Sequence, residues 1–315
     1  MKMQRTLLFP NVGRRVELVS RFKEYAKNND IQLNIIGTDL NNDAPALYFC
    51  DKIYQLPKQR DEKLVELFND IIRTNNVDTV ICTIDPDLEF FSENRHIFNK
   101  NKKLDLMLSH QDIIRASSDK NLTEQLFRDA KINTPQVLVT SDIFPLFAKP
   151  AKGSGSFGAK LIQNKEELET YQQEYGLYNP IYQQYISGKE YTIDCFVTKN
   201  NEIYISPRER VKVRGGEVTV SKTVKHHLLI QESKKLLNNS KFYGPITLQA
   251  IVSDEDNKAY FIEVNPRFGG GSILSIEAGL NSISYILDET NSVSNIKENI
   301  KMLRYDMSVF IDENE

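Results

Sequence analysis

The chain has 315 residues, of which 40% are hydrophobic and 26% are charged, an ordinary composition for a globular protein with two or three cores. Its formal net charge of -3 argues against a nucleic-acid-binding domain, which is typically basic. No apolar stretch approaches the length of a membrane span. The three cysteines follow no disulfide spacing, which predicts reduced domains and a cytoplasmic location.

The first part of the chain alternates predicted strands and helices, the pattern of a parallel sheet covered by helices. The predicted strands are 6–9, 33–37, 79–83 and 104–108, and the predicted helices are 14–27 and 62–75. Ligands of such sheets bind beyond the carboxyl ends of the strands. Polar residues follow several of these ends, namely Asn11, Gly13, Arg14, Arg15, Asp39, Asp85 and Asp87.

The pattern changes after a helix predicted at 121–129, and hairpins with interspersed helices indicate an α+β region. The predicted strands are 136–140, 146–149, 159–163, 181–186, 191–198, 203–213, 246–252, 259–264 and 307–311. The predicted helices are 166–175, 226–238 and 272–280. Short polar turns at 199–201 and 254–257 predict two antiparallel hairpins.

Glycine is scarce, with 14 in the chain, yet it is concentrated in three places. One is a loop between two predicted strands, with Gly153, Ser154, Gly155, Ser156 and Gly158. Free backbone N–H groups in such a loop bind phosphate oxygens, and Lys149 at the preceding strand end could reach the same phosphates. The lysine precedes the glycines, so this is not the Walker motif, and a flexible hairpin with an exposed lysine is the alternative.

A second candidate site surrounds Glu190, which follows a glycine at the start of a predicted strand. A carboxylate in this position could bind the two hydroxyls of a ribose. The backbone of Gln184, Tyr185 and Ile186, just before it, could offer hydrogen bonds to an adenine. The alternative is a β-turn that carries a surface glutamate.

The third candidate is an oxygen-rich strand face. Glu263 and Asn265 lie two residues apart on a predicted strand, so their side chains share one face, and Gln249 lies on the hairpin partner. Such oxygen ligands suit Mg²⁺ shared with phosphate oxygens. Arg267 follows closely. A surface acid on an exposed strand is the alternative for Glu263.

The fourth candidate is a row of cations, Arg208, Arg210, Lys212 and Arg214, which alternation places on one strand face. Such a row is unfavourable unless anions approach it, although a solvated strand face would also explain it.

These segments, in this order, resemble the ATP-grasp superfamily of carboxylate–amine ligases, and most closely the synthetase halves of the carbamoyl phosphate synthase large subunit. The matching segments are 11–15, 118–120, 147–150, 153–158, 184–191 and 263–267. The resemblance implies a Rossmann-like domain at 1–110 that precedes the ATP-grasp fold. It also implies an ATP-grasp small lobe at 111–187 and a large lobe with the metal site at 188–315.

The resemblance further implies the roles of the site residues. Lys120 and Lys149 would bind the ATP phosphates, and the glycine loop would close over them. Residues 184–186 would form the adenine hinge, and Glu190 would bind ribose. Many members have an acid in the hinge where this chain has Gln183 and Gln184.

Mg²⁺, which Mn²⁺ could replace, would be held by Glu263 and Asn265 with Gln249 near them. Arg267 would steady the transferring phosphate. Arg208, Arg210 and Arg214 are candidates for binding a substrate carboxylate. The amino-terminal domain would add substrate contacts from Gly13, Arg14, Asp39 and Asp87.

The implied reaction is attack of a carboxylate on the γ-phosphate of ATP, followed by capture of the acyl-phosphate by an amine. The expected partners are small-molecule substrates, without nucleic acid or membrane, and a homodimer is left open. One alternative is a carboxylase or carbamoyl-type synthase that phosphorylates bicarbonate. Another is a nucleotide-binding sensor without turnover.

Overall fold

The computed structural model describes residues 3–58, 62–101, 103–138, 143–153, 155, 157–289 and 295–312. The described chain divides into two compact units. Residues 3–108, 281–289 and 302–312 form the first unit, and residues 109–280 and 295–301 form the second. In the part of the chain that is described, no helix is long and apolar enough to cross a membrane.

The first unit is built on a five-stranded parallel sheet. Its strands are β1 (Gln4–Phe9), β2 (Gln32–Asp39), β3 (Lys52–Gln55), β4 (Thr79–Val80) and β5 (Asp105–Leu106), in the order β3-β2-β1-β4-β5. Its helices include α1 (Val16–Asn28), α2 (Glu62–Thr74), α3 (Asp85–Glu93) and α4 (Arg95–Phe98), with a 3-10 helix at Pro45–Phe49. Leu7, Leu8, Ile35 and Ile36 are fully buried, as expected for central strands covered on both faces. The predicted α/β sheet is confirmed.

Two hydrogen-bonded pairs among the predicted residues beyond these strands hold the loops together. Gly13 has a left-handed φ of 53°, and its N–H donates to the Asp39 carboxylate at 2.8 Å. Asn11 Nδ2 donates to Asp87 Oδ1 at 2.7 Å, and the Asp87 side chain is buried. The predicted substrate contact of Asp87 is therefore corrected, because its carboxylate is buried and bonded to Asn11. Arg14 is exposed and lies 3.7 Å from Asp306.

The second unit contains two antiparallel sheets and five helices among its described residues. The helices are α5 (Gln111–Ser118), α6 (Lys120–Asp129), α7 (Lys165–Tyr175), α8 (His227–Leu237) and α9 (Ser272–Glu277), with a 3-10 helix at Gly176–Tyr178. The strands are β6 (Leu146–Pro150), β7 (Lys160–Ile162), β8 (Pro180–Gln184), β9 (Gly188–Val197), β10 (Ile203–Arg214), β11 (Glu217–Thr223), β12 (Gly244–Ser253), β13 (Ala259–Asn265) and β14 (Lys301–Leu303), of which only Lys301 belongs to this unit. The smaller sheet has the order β7-β6-β8, and the larger has the order β13-β12-β9-β10-β11-β14.

The larger sheet packs one face against an apolar core, and the candidate site lies on the other face. Ile193, Leu248 and Phe261 are fully buried in a core that α5, α6 and α8 share. Since side chains alternate along a strand, their neighbours in sequence point away from this core. The smaller sheet has its own core, in which Leu146 of β6 packs with Tyr171 of α7.

The chain then returns to the first unit through α10 (Ser282–Asp288). Arg5 Nε donates to Leu287 O at 2.6 Å, and the Tyr25 hydroxyl donates to Asp288 at 2.8 Å. The sequence-based boundaries assigned this helix to the large lobe, whereas these bonds tie it to β1 and α1. The separation of the second unit into lobes at residue 187 stays a prediction.

Several predicted elements differ from the structure. Of the strand predicted at 136–140, Val137 forms a single bridge to Gln183, and residues 139–140 lie outside the described residues. No strand forms at 307–311, where Met307 and Phe310 are largely exposed. Strand β11 was not predicted because it is mostly polar. Its signal is the pair of glycines before it, which adopt the left-handed φ of a tight hairpin turn.

Candidate active site

The polar face of the larger sheet brings together residues from four neighbouring strands. On β12, Gln249 lies opposite Glu263 of β13 on one side and Thr192 of β9 on the other. Thr192 in turn lies opposite Arg208 of β10. Directly opposed residues of antiparallel strands share a face, so this row crosses the sheet with oxygen atoms at one end and a cation at the other.

The oxygen-rich end contains the predicted metal ligands. Asn265 Nδ2 donates to Glu263 Oε1 at 3.0 Å, so the two side chains lie side by side. The register shifts between Gln249 and Ala250, where Ile262 is the extra residue of a β-bulge. Bulges of this kind re-aim side chains next to active sites, and this one lies immediately before Glu263.

The donor chemistry of this group fits Mg²⁺. One carboxylate and two amide oxygens, from Glu263, Asn265 and Gln249, form a weak set by themselves, and Mg²⁺ is typically held by one or two carboxylates together with phosphate oxygens and water. Within the described ranges, no cluster of three histidine, cysteine, aspartate or glutamate side chains could hold a metal alone. The residues present therefore suit an ion that arrives with a nucleotide, and their role as ligands stays a prediction.

Two lysines lie close enough to this carboxylate for their charges to interact with it. Burial lowers the pKa of Lys149 to about 8, and the positive charge of Lys120 adds to this effect while Glu263 opposes it. Burial also lowers the pKa of Lys120, against the influence of Glu263 and Asp119. Two half-buried cations whose pKa values are both lowered favour binding of an anion beside them.

The glycine loop is connected to Lys120. Lys120 Nζ donates to Gly153 O at 3.1 Å, and its backbone N–H donates to Ala151 O at 3.1 Å. Gly153 and Gly155 have positive φ angles of 118° and 68°, with open space where a Cβ would lie. The predicted phosphate contacts of Ser154 and Ser156 concern residues outside the described part of the chain.

Gly158 serves packing in the small sheet. A Cβ at this position would lie 2.9 Å from side-chain atoms of Pro150 and Tyr175, and φ is 63°. Its carbonyl accepts a 2.8 Å hydrogen bond from the Tyr171 hydroxyl. Only a glycine therefore fits, and the base of the loop is fixed while Gly153 and Gly155 face open space.

The predicted adenine hinge follows β8. Gln183 is buried, and its Nε2 donates to Pro135 O at 3.4 Å, whereas Gln184 and Tyr185 are exposed and Ile186 is buried. Gln183, one of the two residues that replace the usual acid, therefore points into the protein. The adenine contacts of residues 184–186 stay a prediction.

Glu190, the predicted ribose ligand, is paired with an arginine. Arg210 Nε lies 2.9 Å from Glu190 Oε1. Burial raises the pKa of Glu190, the positive charge of Arg210 opposes this, and the nearby negative charge of Glu263 adds to it. Glu263 therefore lies close enough to Glu190 for their charges to interact, and the ribose and metal roles stay predictions.

Arg208 does not have the exposed position that the sequence suggested. Only 2% of its side chain is exposed, and its Nε donates to Asp194 Oδ2 at 2.8 Å. The same oxygen accepts from Ser275 Oγ at 2.6 Å. The geometry therefore commits Arg208 to Asp194 rather than to a substrate carboxylate, which corrects the predicted row of free cations. Arg214, at the end of β10, is exposed, and its substrate role stays a prediction.

The segment after the metal candidates packs closely on the sheet. Arg267 Nη2 lies 3.4 Å from Asn265 Oδ1, and its carbonyl accepts a 3.0 Å bond from Thr247 Oγ1. A Cβ on Gly269 would lie 2.8 Å from Thr247 Oγ1, and one on Gly271 would lie 2.9 Å from the Arg208 guanidinium. Glycine at these two positions therefore permits close packing on the sheet.

Sequence reasoning missed the pairs Glu190–Arg210 and Asp194–Arg208. A usable signal was present, because the turn at 199–201 sets the register of β9 and β10, with Ile203 opposite Val197. Extended along both strands, this register brings the acids of β9 beside the arginines of β10.

The fold and site define a nucleotide-binding class of enzymes, and the comparisons with known proteins specify it. Residues 117–271 match the family model described as ATP-grasp domain, and residues 7–104 match the one described as PylC-like, N-terminal domain. Residues 117–271 therefore form an ATP-grasp domain, as the motifs predicted.

Solved structures share the fold over nearly the whole chain. N5-carboxyaminoimidazole synthetase from Staphylococcus aureus, complexed with ADP, is 16% identical with a TM-score of 0.74, covering 95% of this chain and 81% of that one. L-amino acid ligase from Bacillus licheniformis is 16% identical with a TM-score of 0.73, covering 96% and 79%. The biotin carboxylase domain dimer of Hydrogenobacter thermophilus 2-oxoglutarate carboxylase, with MgADP, ADP and bicarbonate, is 17% identical with a TM-score of 0.72, covering 96% and 74%.

Proposed function

We propose that this protein is an ATP- and Mg²⁺-dependent ligase that phosphorylates a substrate carboxylate and joins it to an amine. The observation that carries the proposal is the grouping of Lys120, Lys149 and Glu263, whose charges interact within the second unit. Asn265 is bonded directly to that carboxylate. Two cations and a carboxylate–amide pair match the needs of a metal-bound triphosphate.

The chemistry follows from the charges at this site. Mg²⁺, when bound, neutralises the β- and γ-phosphate oxygens, and Glu263 and Asn265 would hold it with Gln249. Lys120 and Lys149 would bind the phosphates, and Arg267 would steady the transferring group. The substrate carboxylate displaces ADP to form an acyl-phosphate. The amine then attacks its carbonyl carbon, and phosphate leaves as the amide forms.

We propose that the glycine loop protects the acyl-phosphate from water. Gly153 and Gly155 face open space at positive φ, while Gly158 anchors the end of the loop in the small sheet. A loop with one fixed end, in which the Cβ positions of Gly153 and Gly155 meet open space, would be able to close over a triphosphate. Closure would exclude the water that competes with the amine.

The test is release of ADP from ATP by the full chain with pooled carboxylates and amines, with bicarbonate alone as a separate reaction. We expect ADP release over many turnovers only when a carboxylate and an amine are both present, together with an amide detected by mass spectrometry. ADP release with bicarbonate alone would favour the carboxylase alternative. Tight ATP binding without ADP release in any mixture would favour a sensor.

Replacement of the central carboxylate tests the metal assignment. Glu263→Gln should lower turnover by at least about a hundredfold, because mutagenesis of single groups that stabilise the transition-state charge costs about 10²–10³ in kcat. Glu255→Gln, an exposed acid on the turn after β12, is the matched control and should keep full turnover. Normal turnover by a folded Glu263→Gln protein would show that Glu263 does not hold the metal.

Three finer features belong to the same proposal. We infer that Mn²⁺ supports turnover in place of Mg²⁺, because oxygen donors accept both ions. We also propose that the protein works in the cytoplasm on small molecules, in keeping with the free thiols of Cys50, Cys82 and Cys195. A homodimer is proposed by analogy with the biotin carboxylase domain dimer among the similar structures.

A further inference from the structure

Arg210 is nearly buried and makes three polar contacts, all within the second unit. Its Nε lies 2.9 Å from Glu190 Oε1, and only 8% of its side chain is exposed. Nη1 lies 3.3 Å from Thr192 Oγ1, and Nη2 donates to Gly216 O at 3.1 Å. The guanidinium therefore contacts two side chains on one face of β9, those of Glu190 and Thr192, and the turn between β10 and β11 at Gly216.

This arrangement leaves little of Arg210 for a substrate. Nη1 and Nη2 each donate one hydrogen bond within the protein, and Nε is buried beside the Glu190 carboxylate at ion-pair distance without hydrogen-bond geometry. Arg210 was one of the cations expected to bind a substrate carboxylate. The carboxylate it contacts is instead that of Glu190.

We propose that Arg210 is a positioning residue for the nucleotide ribose, holding the Glu190 carboxylate in place and tying it to the β10–β11 turn at Gly216. The inference rests on the proposed function, in which Glu190 binds the ribose hydroxyls. A carboxylate side chain on a strand end has rotational freedom that weakens its hydrogen bonds to a ligand. The ion pair with Arg210 removes that freedom before the nucleotide arrives.

Charge supports the same role. Burial raises the pKa of Glu190 and the adjacent negative charge of Glu263 raises it further, while Arg210 opposes both effects. Arg210 therefore helps to keep Glu190 ionised, and the ionised form accepts hydrogen bonds from two hydroxyl groups.

The test compares the binding of Mg·ATP with that of Mg·2′,3′-dideoxy-ATP, which lacks both ribose hydroxyls, by isothermal titration calorimetry of the full chain. Loss of hydrogen bonds to a charged group costs about tenfold or more in affinity, so the natural protein should prefer ATP by at least that factor. Glu190→Gln should lose most of this preference. Arg210→Ala should weaken ATP binding by about tenfold while binding of the dideoxy analogue changes less than about twofold.

Three further variants separate positioning from a general structural role. Arg210→Lys keeps the charge without the planar fork, and should restore part of the preference for ATP. The double variant Glu190→Gln, Arg210→Ala should bind ATP no more weakly than Glu190→Gln alone, because both changes act through one carboxylate. Lys212→Ala, an exposed cation on the same strand, should leave both affinities unchanged.

Circular dichroism establishes that each variant is folded, and Arg210→Lys carries the test if Arg210→Ala is not. Equal weakening of ATP and dideoxy-ATP binding in Arg210→Ala would overturn the proposal, as would retention of the full preference for ATP. If the natural protein binds both nucleotides equally, the ribose assignment of Glu190 fails and the inference fails with it. If it binds neither, the proposed function itself fails.

Discussion

Raising the pH from about 7 to about 9 should weaken binding of Mg·ATP to this protein by about tenfold, because Lys149 loses its proton over this range. Burial and the neighbouring charge of Lys120 lower the pKa of Lys149 to about 8 in the ligand-free protein. Phosphate oxygens stabilise only the charged ammonium. Binding therefore requires the protonated form and retains the proton.

The magnitude follows from the fraction of Lys149 that is protonated. With a pKa of about 8, roughly nine-tenths of the free protein carries the charge at about pH 7 and roughly one-tenth carries it at about pH 9. The affinity falls in the same proportion, which is about tenfold or about 1.4 kcal/mol. Titration calorimetry with Mg·ATP across this range measures the effect, and proton uptake should accompany binding at the upper end.

Two substitutions provide the comparison. Lys149→Arg keeps its charge at every pH of the titration, so its affinity should not show the fall. Lys149→Met should bind Mg·ATP more weakly at every pH of the titration, and its affinity should also not fall as the pH rises. A flat profile for the natural protein, or the same tenfold fall in Lys149→Arg, would refute the assignment of the titration to Lys149.

The unfolding free energy of the ligand-free protein should rise with pH, whereas the affinity for Mg·ATP falls. Between about pH 8 and the ordinary lysine value of 10.5, the unfolded chain binds more protons at Lys149 than the folded chain does. The unfolding free energy should therefore rise with pH in this window, since the charged form is the one that burial destabilises. Urea unfolding measures this, and Lys149→Met should lack that part of the rise.

Two stability predictions follow from the packing around the site. Gly158→Ala should lower the unfolding free energy by about 2–5 kcal/mol in urea, because the φ of 63° costs about 1–2 kcal/mol and the approach of the new Cβ to 2.9 Å from Pro150 and Tyr175 adds about 1–3 kcal/mol. Gly155→Ala, which meets open space, should cost only about 1–2 kcal/mol for its φ, and an equal loss in both would contradict the packing argument. Asp194→Asn should cost about 3–5 kcal/mol, because it leaves the buried Arg208 charge without its carboxylate. Adding Arg208→Met should recover part of that loss, and no recovery would show that the pair matters through packing rather than charge.

Local patterns in the sequence were sufficient for much of the fold. Alternation of strands and helices predicted the parallel sheet, because each element shows its own hydrophobic period. The turns at 199–201 and 254–257 predicted two hairpins of the larger sheet, and the structure confirms both pairings. Strand β11 was missed because it is mostly polar and its place in the sheet depends on β10. Helix α5 was also missed.

The proximity of Glu263 and Asn265 was determined by the sequence alone, because residues two apart on a strand project to the same side whatever surrounds them. The partners of the arginines were not determined by the sequence alone. Arg208 and Arg210 occupy equivalent places in the strand pattern, and only the packing of β9 against β10 gives them Asp194 and Glu190 as partners. Alternation determines the direction of a side chain, whereas its partner and its burial depend on strands that are distant in sequence and meet only in the folded sheet.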